Sequence, residues 1–82
     1  MSAIKIEIFS SRCAKCRILE VQVKRAVAEM GLDAEILMVH NLEAARSRGI
    51  QAMPGLALNG EVVSMGAVPD EKELRAMLRD RS

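Results

Sequence analysis

The chain has 82 residues, half of them apolar and 28% charged, with a formal net charge of +1; this is enough for one domain with a modest core and too little for two. Basic and acidic residues are interspersed and Phe9 is the only aromatic, which removes both the electrostatic footprint and the stacking platform of a nucleic-acid binder. Charge enters as early as Lys5, leaving no apolar stretch long enough for a signal peptide or a membrane span, so a single cytoplasmic domain over residues 1–82 is expected.

Taken in order, Ala3-Ile4-Lys5-Ile6-Glu7-Ile8-Phe9 alternates so that Ile4, Ile6 and Ile8 share one face and Lys5 and Glu7 the other, the pattern of a strand. Ser10-Ser11-Arg12 forms a polar loop that delivers Cys13 to the start of a helix. That helix runs to about Met30, with Cys16, Leu19, Val23, Ala26, Val27 and Met30 on its buried side. Lys15, Arg17, Glu20, Lys24 and Glu29 lie on the solvated side, where Glu20 and Lys24 make a favourable pair. Gly31 has the character of a left-handed cap.

Residues 34–39 form an apolar run that reads as a strand buried on both faces, suited to parallel pairing with the first strand across the helix. Asn41 caps a short helix over Leu42 to Ser47; Gly49 stops it and Ile50 returns the chain to the core. His40 reads as an ordinary polar residue at a strand end. Asn59-Gly60 joins Leu56–Leu58 to Glu61–Met65 in a two-residue hairpin. Pro69 and Asp70 open a final helix in which Asp70 and Glu73 have capping-box spacing and Leu74, Met77 and Leu78 form the buried stripe. The order βαβαββα predicts an α/β fold with a mixed four-stranded sheet and three helices, without linker or repeat. No obvious exposed apolar stripe is expected, which makes a monomer the default.

The chain's only two cysteines, Cys13 and Cys16, stand at the junction of the first strand and the first helix. A thiol there meets unpaired backbone N–H groups and the positive end of the helix dipole, which favour thiolate and make Cys13 the candidate nucleophile. Cys16, three residues on, is near enough along the helix to close a disulfide with it. The same spacing also offers two thiolates to a soft metal ion such as Cu(I), so a metal carrier is the alternative, and a redox-sensing regulatory protein is a third reading. With no further cysteine and His40 the only histidine, a closed structural zinc site within one chain lacks ligands. The carrier reading is weakened by the terminal helix and by Met53-Pro54 ahead of a hairpin, which has no purpose in a metal-carrier fold.

These features together resemble the thioredoxin-like superfamily, and among its members the small prokaryotic redox-active disulfide proteins that are close to a minimal thioredoxin fold. The marks are the strand leading into Cys13-Ala14-Lys15-Cys16, Gly49-Ile50 ahead of Met53-Pro54, Asn59-Gly60-Glu61-Val62, and Gly66-Ala67 before the last helix. The resemblance implies a thiol-disulfide oxidoreductase that reduces disulfide-containing protein substrates, needs no cofactor or metal, and is itself reduced by a flavin-dependent thioredoxin reductase-type donor. It implies a cis Met53-Pro54 bond against the cysteines, with the backbone of Met53 free to pair with substrate. It also implies a buried acid six residues before the first cysteine, here Glu7, which takes the proton of Cys16; otherwise Glu7 pairs with Lys5 or Lys15 or faces water. Where thioredoxins have tryptophan and glycine-proline, this chain has Arg12 and Ala14-Lys15. Two cations beside the site are expected to favour thiolate at Cys13, to attract acidic partners, and to make the protein less reducing than thioredoxin.

Overall fold

The computed structural model describes residues 3–82; the reading of Met1 and Ser2 as free of a leader lies outside the described residues. The chain forms β1 (Ile4–Phe9), α1 (Ala14–Met30), β2 (Ala34–Val39), α2 (Leu42–Ser47), β3 (Gly55–Leu58), β4 (Glu61–Met65) and α3 (Glu71–Arg81). One mixed sheet has the order β2-β1-β3-β4. The β1–β2 pair is parallel, whereas β1–β3 and β3–β4 are antiparallel. Among the described residues, no helix is long and apolar enough to cross a membrane.

Two apolar layers follow from strand alternation. Ile4, Ile6 and Ile8 meet Leu19, Val23 and Ala26 of α1 and Leu74 and Leu78 of α3 in the main core. On the opposite face Phe9 packs with Ala45 of α2, Ile50 and Ala57 in a smaller cluster. The ends of the helices are built as their sequences predict. Asp70 and Glu73 form a reciprocal capping box on α3, Gly31 closes α1 in the left-handed conformation, and Asn59 and Gly60 take φ of 52° and 87° in the hairpin. The Lys24 ammonium hydrogen-bonds Glu20 at 2.7 Å and holds that carboxyl below its ordinary range.

Two expectations are corrected. β2 is not buried on both faces: it lies at the sheet edge, and while Ala34, Ile36 and Met38 pack on the main core, Glu35 and Leu37 face solvent. The six-residue α2 is too short to cover that side. The strand enclosed on both faces is β3, every residue of which is buried. The helix surface is also less polar than expected, because Ile18 and Val21 of α1 are each about half exposed.

Close approach explains one glycine. A Cβ on Gly55 would stand 2.7 Å from Cδ1 and 2.8 Å from Cγ2 of Ile50, whose side chain is itself buried and cannot yield. Gly55→Ala is expected to cost about 1–3 kcal/mol through overpacking, read as a lower urea midpoint at constant slope. Combining it with Ile50→Ala should give less than the sum of the two single losses; strict additivity would show that the two side chains do not compete for the same space.

Candidate active site

Cys13 occupies the N-cap position of α1, with extended backbone, and its Sγ accepts the N–H of Cys16 at 3.2 Å. The two residues are joined as a disulfide, with Cα atoms 5.0 Å apart. Cys13 is half-buried and Cys16 fully buried, so an incoming group reaches Cys13 first. The helix start that exposes one sulfur therefore shelters the other. Ser11 Oγ lies 3.9 Å from Cys16 Sγ, within hydrogen-bonding distance for sulfur.

Ser11 has no signature in the sequence, where it is one member of a polar loop. It is placed by the turn that follows: Arg12 adopts φ 65° and its N–H donates to Ser10 Oγ at 2.9 Å. A left-handed conformation at a residue bearing a Cβ costs free energy, and here it sits immediately before Cys13.

The sheet register brings the second half of the site to the first. Phe9 pairs with Gly55, which sets Pro54 level with Ser10, three residues before Cys13. The Met53–Pro54 bond is cis, and Pro54 is buried with its carbonyl accepting the N–H of Gly66 at 2.9 Å. Gly66 also closes on Ala52, whose Cβ is 3.0 Å from where a Gly66 Cβ would lie. Among the described residues, Met53 enters none of the backbone hydrogen bonds of the loops and turns. Cys13, Cys16, Met53 and Pro54 thus share one end of the sheet. Arg12 and Lys15 are exposed beside the cysteines, and among the described residues neither makes a salt bridge.

Glu7 is buried, at 8% exposure, and its partner is neither Lys5 nor Lys15. Strand alternation sends it with Phe9 to the α2 face, where Arg48, just past that helix, meets it. Arg48 Nη1 donates to both carboxylate oxygens at 3.1 Å, and Nη2 donates to the Gly60 carbonyl at 2.9 Å. The guanidinium also stands 5.6 Å from the centre of the Phe9 ring. Among the described residues, no hydrogen bond links Glu7 to either cysteine. His40 is exposed, with Nδ1 3.3 Å from the Ser10 carbonyl oxygen. Among the described residues no group of three or more His, Cys, Asp or Glu side chains is placed to hold a metal ion.

Residues 4–79 match the model of a family described as a thioredoxin domain. A thioredoxin of Methanothermobacter thermautotrophicus is 37% identical over 75 residues, a match covering 92% of this chain and 97% of that protein. A thioredoxin of Methanocaldococcus jannaschii is 33% identical over 76 residues, covering 93% of this chain and 87% of the relative. In three dimensions the chain superposes on thioredoxin-2 of the malaria parasite with a TM-score of 0.74 at 16% identity, covering 95% of this chain and 82% of the other. Mitochondrial thioredoxin 3 of Saccharomyces cerevisiae, in its oxidised form, gives 0.69 at 13% identity, covering 98% and 80%.

The backbone at Arg12 supplies a direct test of the local geometry. Arg12→Gly is expected to raise stability by about 0.5–1 kcal/mol, because glycine adopts positive φ without the Cβ clash while losing more entropy on folding. A urea titration checks it, and a midpoint at or below that of the parent protein would mean that the turn is unstrained or that the arginine side chain contributes contacts of its own.

Proposed function

The chain belongs to the thioredoxin family and is a thiol-disulfide oxidoreductase with protein-disulfide reductase activity; from that premise we propose how its residues divide the work. The observation that carries the assignment is the asymmetric pair: a half-exposed Cys13 at the helix N-cap bonded to a buried Cys16. In the reduced protein the Cys13 thiolate attacks one sulfur of a substrate disulfide, forming a Cys13–substrate disulfide and expelling the other substrate sulfur as thiolate. The Cys16 thiolate then attacks Cys13 Sγ, which closes the intramolecular disulfide and expels the second substrate thiolate. Two electrons pass from the dithiol to the substrate, and the exchange needs no bound cofactor.

The Cys16 N–H that meets Cys13 Sγ is positioned to hold negative charge on the attacking sulfur. Ser11 Oγ has the corresponding position at Cys16, where its hydroxyl can donate to the thiolate as Cys16 attacks. Glu7 is assigned as acceptor of the Cys16 proton; since Arg48 engages both of its oxygens, the transfer runs through water or a shift of the carboxylate. Met53 offers its free backbone groups, beside Pro54, to an extended substrate segment, and Arg12 and Lys15 favour acidic ones. The family brings disulfide substrates and a reductase donor. We assign a thioredoxin reductase-type flavoenzyme to the second role and a monomeric cytoplasmic domain over residues 1–82 to the protein itself.

Removing one sulfur at a time tests the order of attack. With a peptide disulfide, Cys16→Ser is expected to stall as a mixed disulfide at Cys13, seen as a mass increase equal to one peptide, and Cys13→Ser to form no adduct. Comparable trapping at Cys16 in Cys13→Ser would reverse the assignment. The second step separates the two polar groups. Ser11→Ala should slow release of the second thiol roughly fivefold, the scale of one hydrogen bond of about 1 kcal/mol, with the first attack unchanged. Glu7→Gln should slow that same step alone; an equal loss in the first attack would make Glu7 a structural residue.

A further inference from the structure

Next to the substrate-pairing position the structure carries a groove of about 380 Å³, lined by Leu42 and Arg46 of α2 and by the arm from Gly49 to Met53. That volume falls within the range that ligand pockets occupy. Leu42 and Arg46 are one helical turn apart, so both project from the same face of α2. Ile50 is buried and Met53 half-buried, and together they make the apolar floor, while Leu42 stands 51% exposed at the rim. An aliphatic side chain left half in water beside an apolar floor is surface that a bound group would cover.

The charge around it is one-sided. Arg46 is exposed, and among the described residues it enters none of the salt bridges. Glu43 is the one acidic residue between His40 and Gly60, and it does not line the groove. On the cysteine side the nearest charges in the chain are Arg12, Lys15 and Arg17, with no acid between Glu7 and Glu20. A cation above an apolar floor selects an apolar group with a carboxylate next to it.

Building on the oxidoreductase assignment, we propose that this groove is a specificity subsite for the segment flanking the substrate's cysteine. An apolar side chain of that segment rests on Leu42, Ile50 and Met53, and a neighbouring Asp or Glu pairs with Arg46. Favoured substrates are therefore protein disulfides with an apolar–acidic pair within a few residues of the cysteine. Met53 links the subsite to the chemistry, since it lines the groove and precedes Pro54.

The test uses the pre-reduced full chain and single-turnover rate constants, so that no external reductant enters. Two peptide disulfides are compared that differ only in carrying Leu-Glu or Leu-Lys beside the cysteine, with bis(2-hydroxyethyl) disulfide as a neutral small substrate. The parent protein should react roughly two- to fivefold faster with the Leu-Glu peptide, a range set by the modest strength of exposed ion pairs. Arg46→Glu should shrink that preference to the part owed to Arg12 and Lys15, and Leu42→Ser should slow both peptides equally, while neither change alters the rate with the neutral disulfide. A preference undiminished in Arg46→Glu would assign it wholly to Arg12 and Lys15 and overturn the subsite, as would a dimer in solution that Arg46→Glu disperses. Failure to reduce bis(2-hydroxyethyl) disulfide at all would instead overturn the oxidoreductase assignment on which the subsite rests.

Discussion

The pairing of Phe9 with Gly55 is the constraint on which the site depends. Cys13 and Pro54 are forty-one positions apart in the chain, and neither the α1 helix nor the hairpin alone brings them together. Placing β1 between a parallel and an antiparallel neighbour makes the exit from β1 and the entry to β3 coincide at one end of the sheet. The exit carries the cysteines and the entry carries Met53 and the cis Pro54. The register is held from both sides, because β1 and β3 are buried almost throughout, and a slip of one residue would send Ile6 and Ile8 to the wrong face.

The Glu7–Arg48 pair fastens the same two segments from beneath. Glu7 belongs to β1, and Arg48 opens the arm that ends at Pro54, so the ion pair links strand to arm while Nη2 reaches the Gly60 carbonyl in the hairpin. Such a pair is costly to desolvate and costlier to break by removing one partner. With the Arg48 side chain 30% exposed, it is screened more than a fully buried pair, which suits a role in geometry more than in net stability.

Most of the architecture was readable in the sequence because local signals agreed with the fold. The alternation in Ile4–Phe9, the stripe from Cys16 to Met30, Asn59-Gly60 and the Asp70/Glu73 box each have short-range physical causes. Apart from the apolar Ile18 and Val21 on the outer face of α1, the misread features are long-range. An apolar run such as residues 34–39 looks the same at a sheet's centre and at its edge, so the exposure of Leu37 depends on which strands flank it. Arg48 carries no pattern that marks it as the partner of Glu7, forty-one residues away. Ser11 and Arg46 were likewise silent, since a loop serine and a helix-surface arginine become informative only when a sulfur or an apolar floor is found beside them. The cysteine pair itself was plain, because its chemistry needs only two residues and the helix start between them.

Cycling of Cys13 and Cys16 between dithiol and disulfide is read from the redox midpoint of the pair. Chelator-treated protein is equilibrated in graded thiol-disulfide buffers and the free thiols are alkylated and counted by mass. A reversible two-electron transition is expected, at a potential less reducing than the roughly −270 mV of thioredoxin if Arg12 and Lys15 stabilise the thiolate form as proposed. Failure to form the intramolecular disulfide, above all with a soft metal ion retained before chelation, would contradict it and make the two cysteines a metal carrier's ligands.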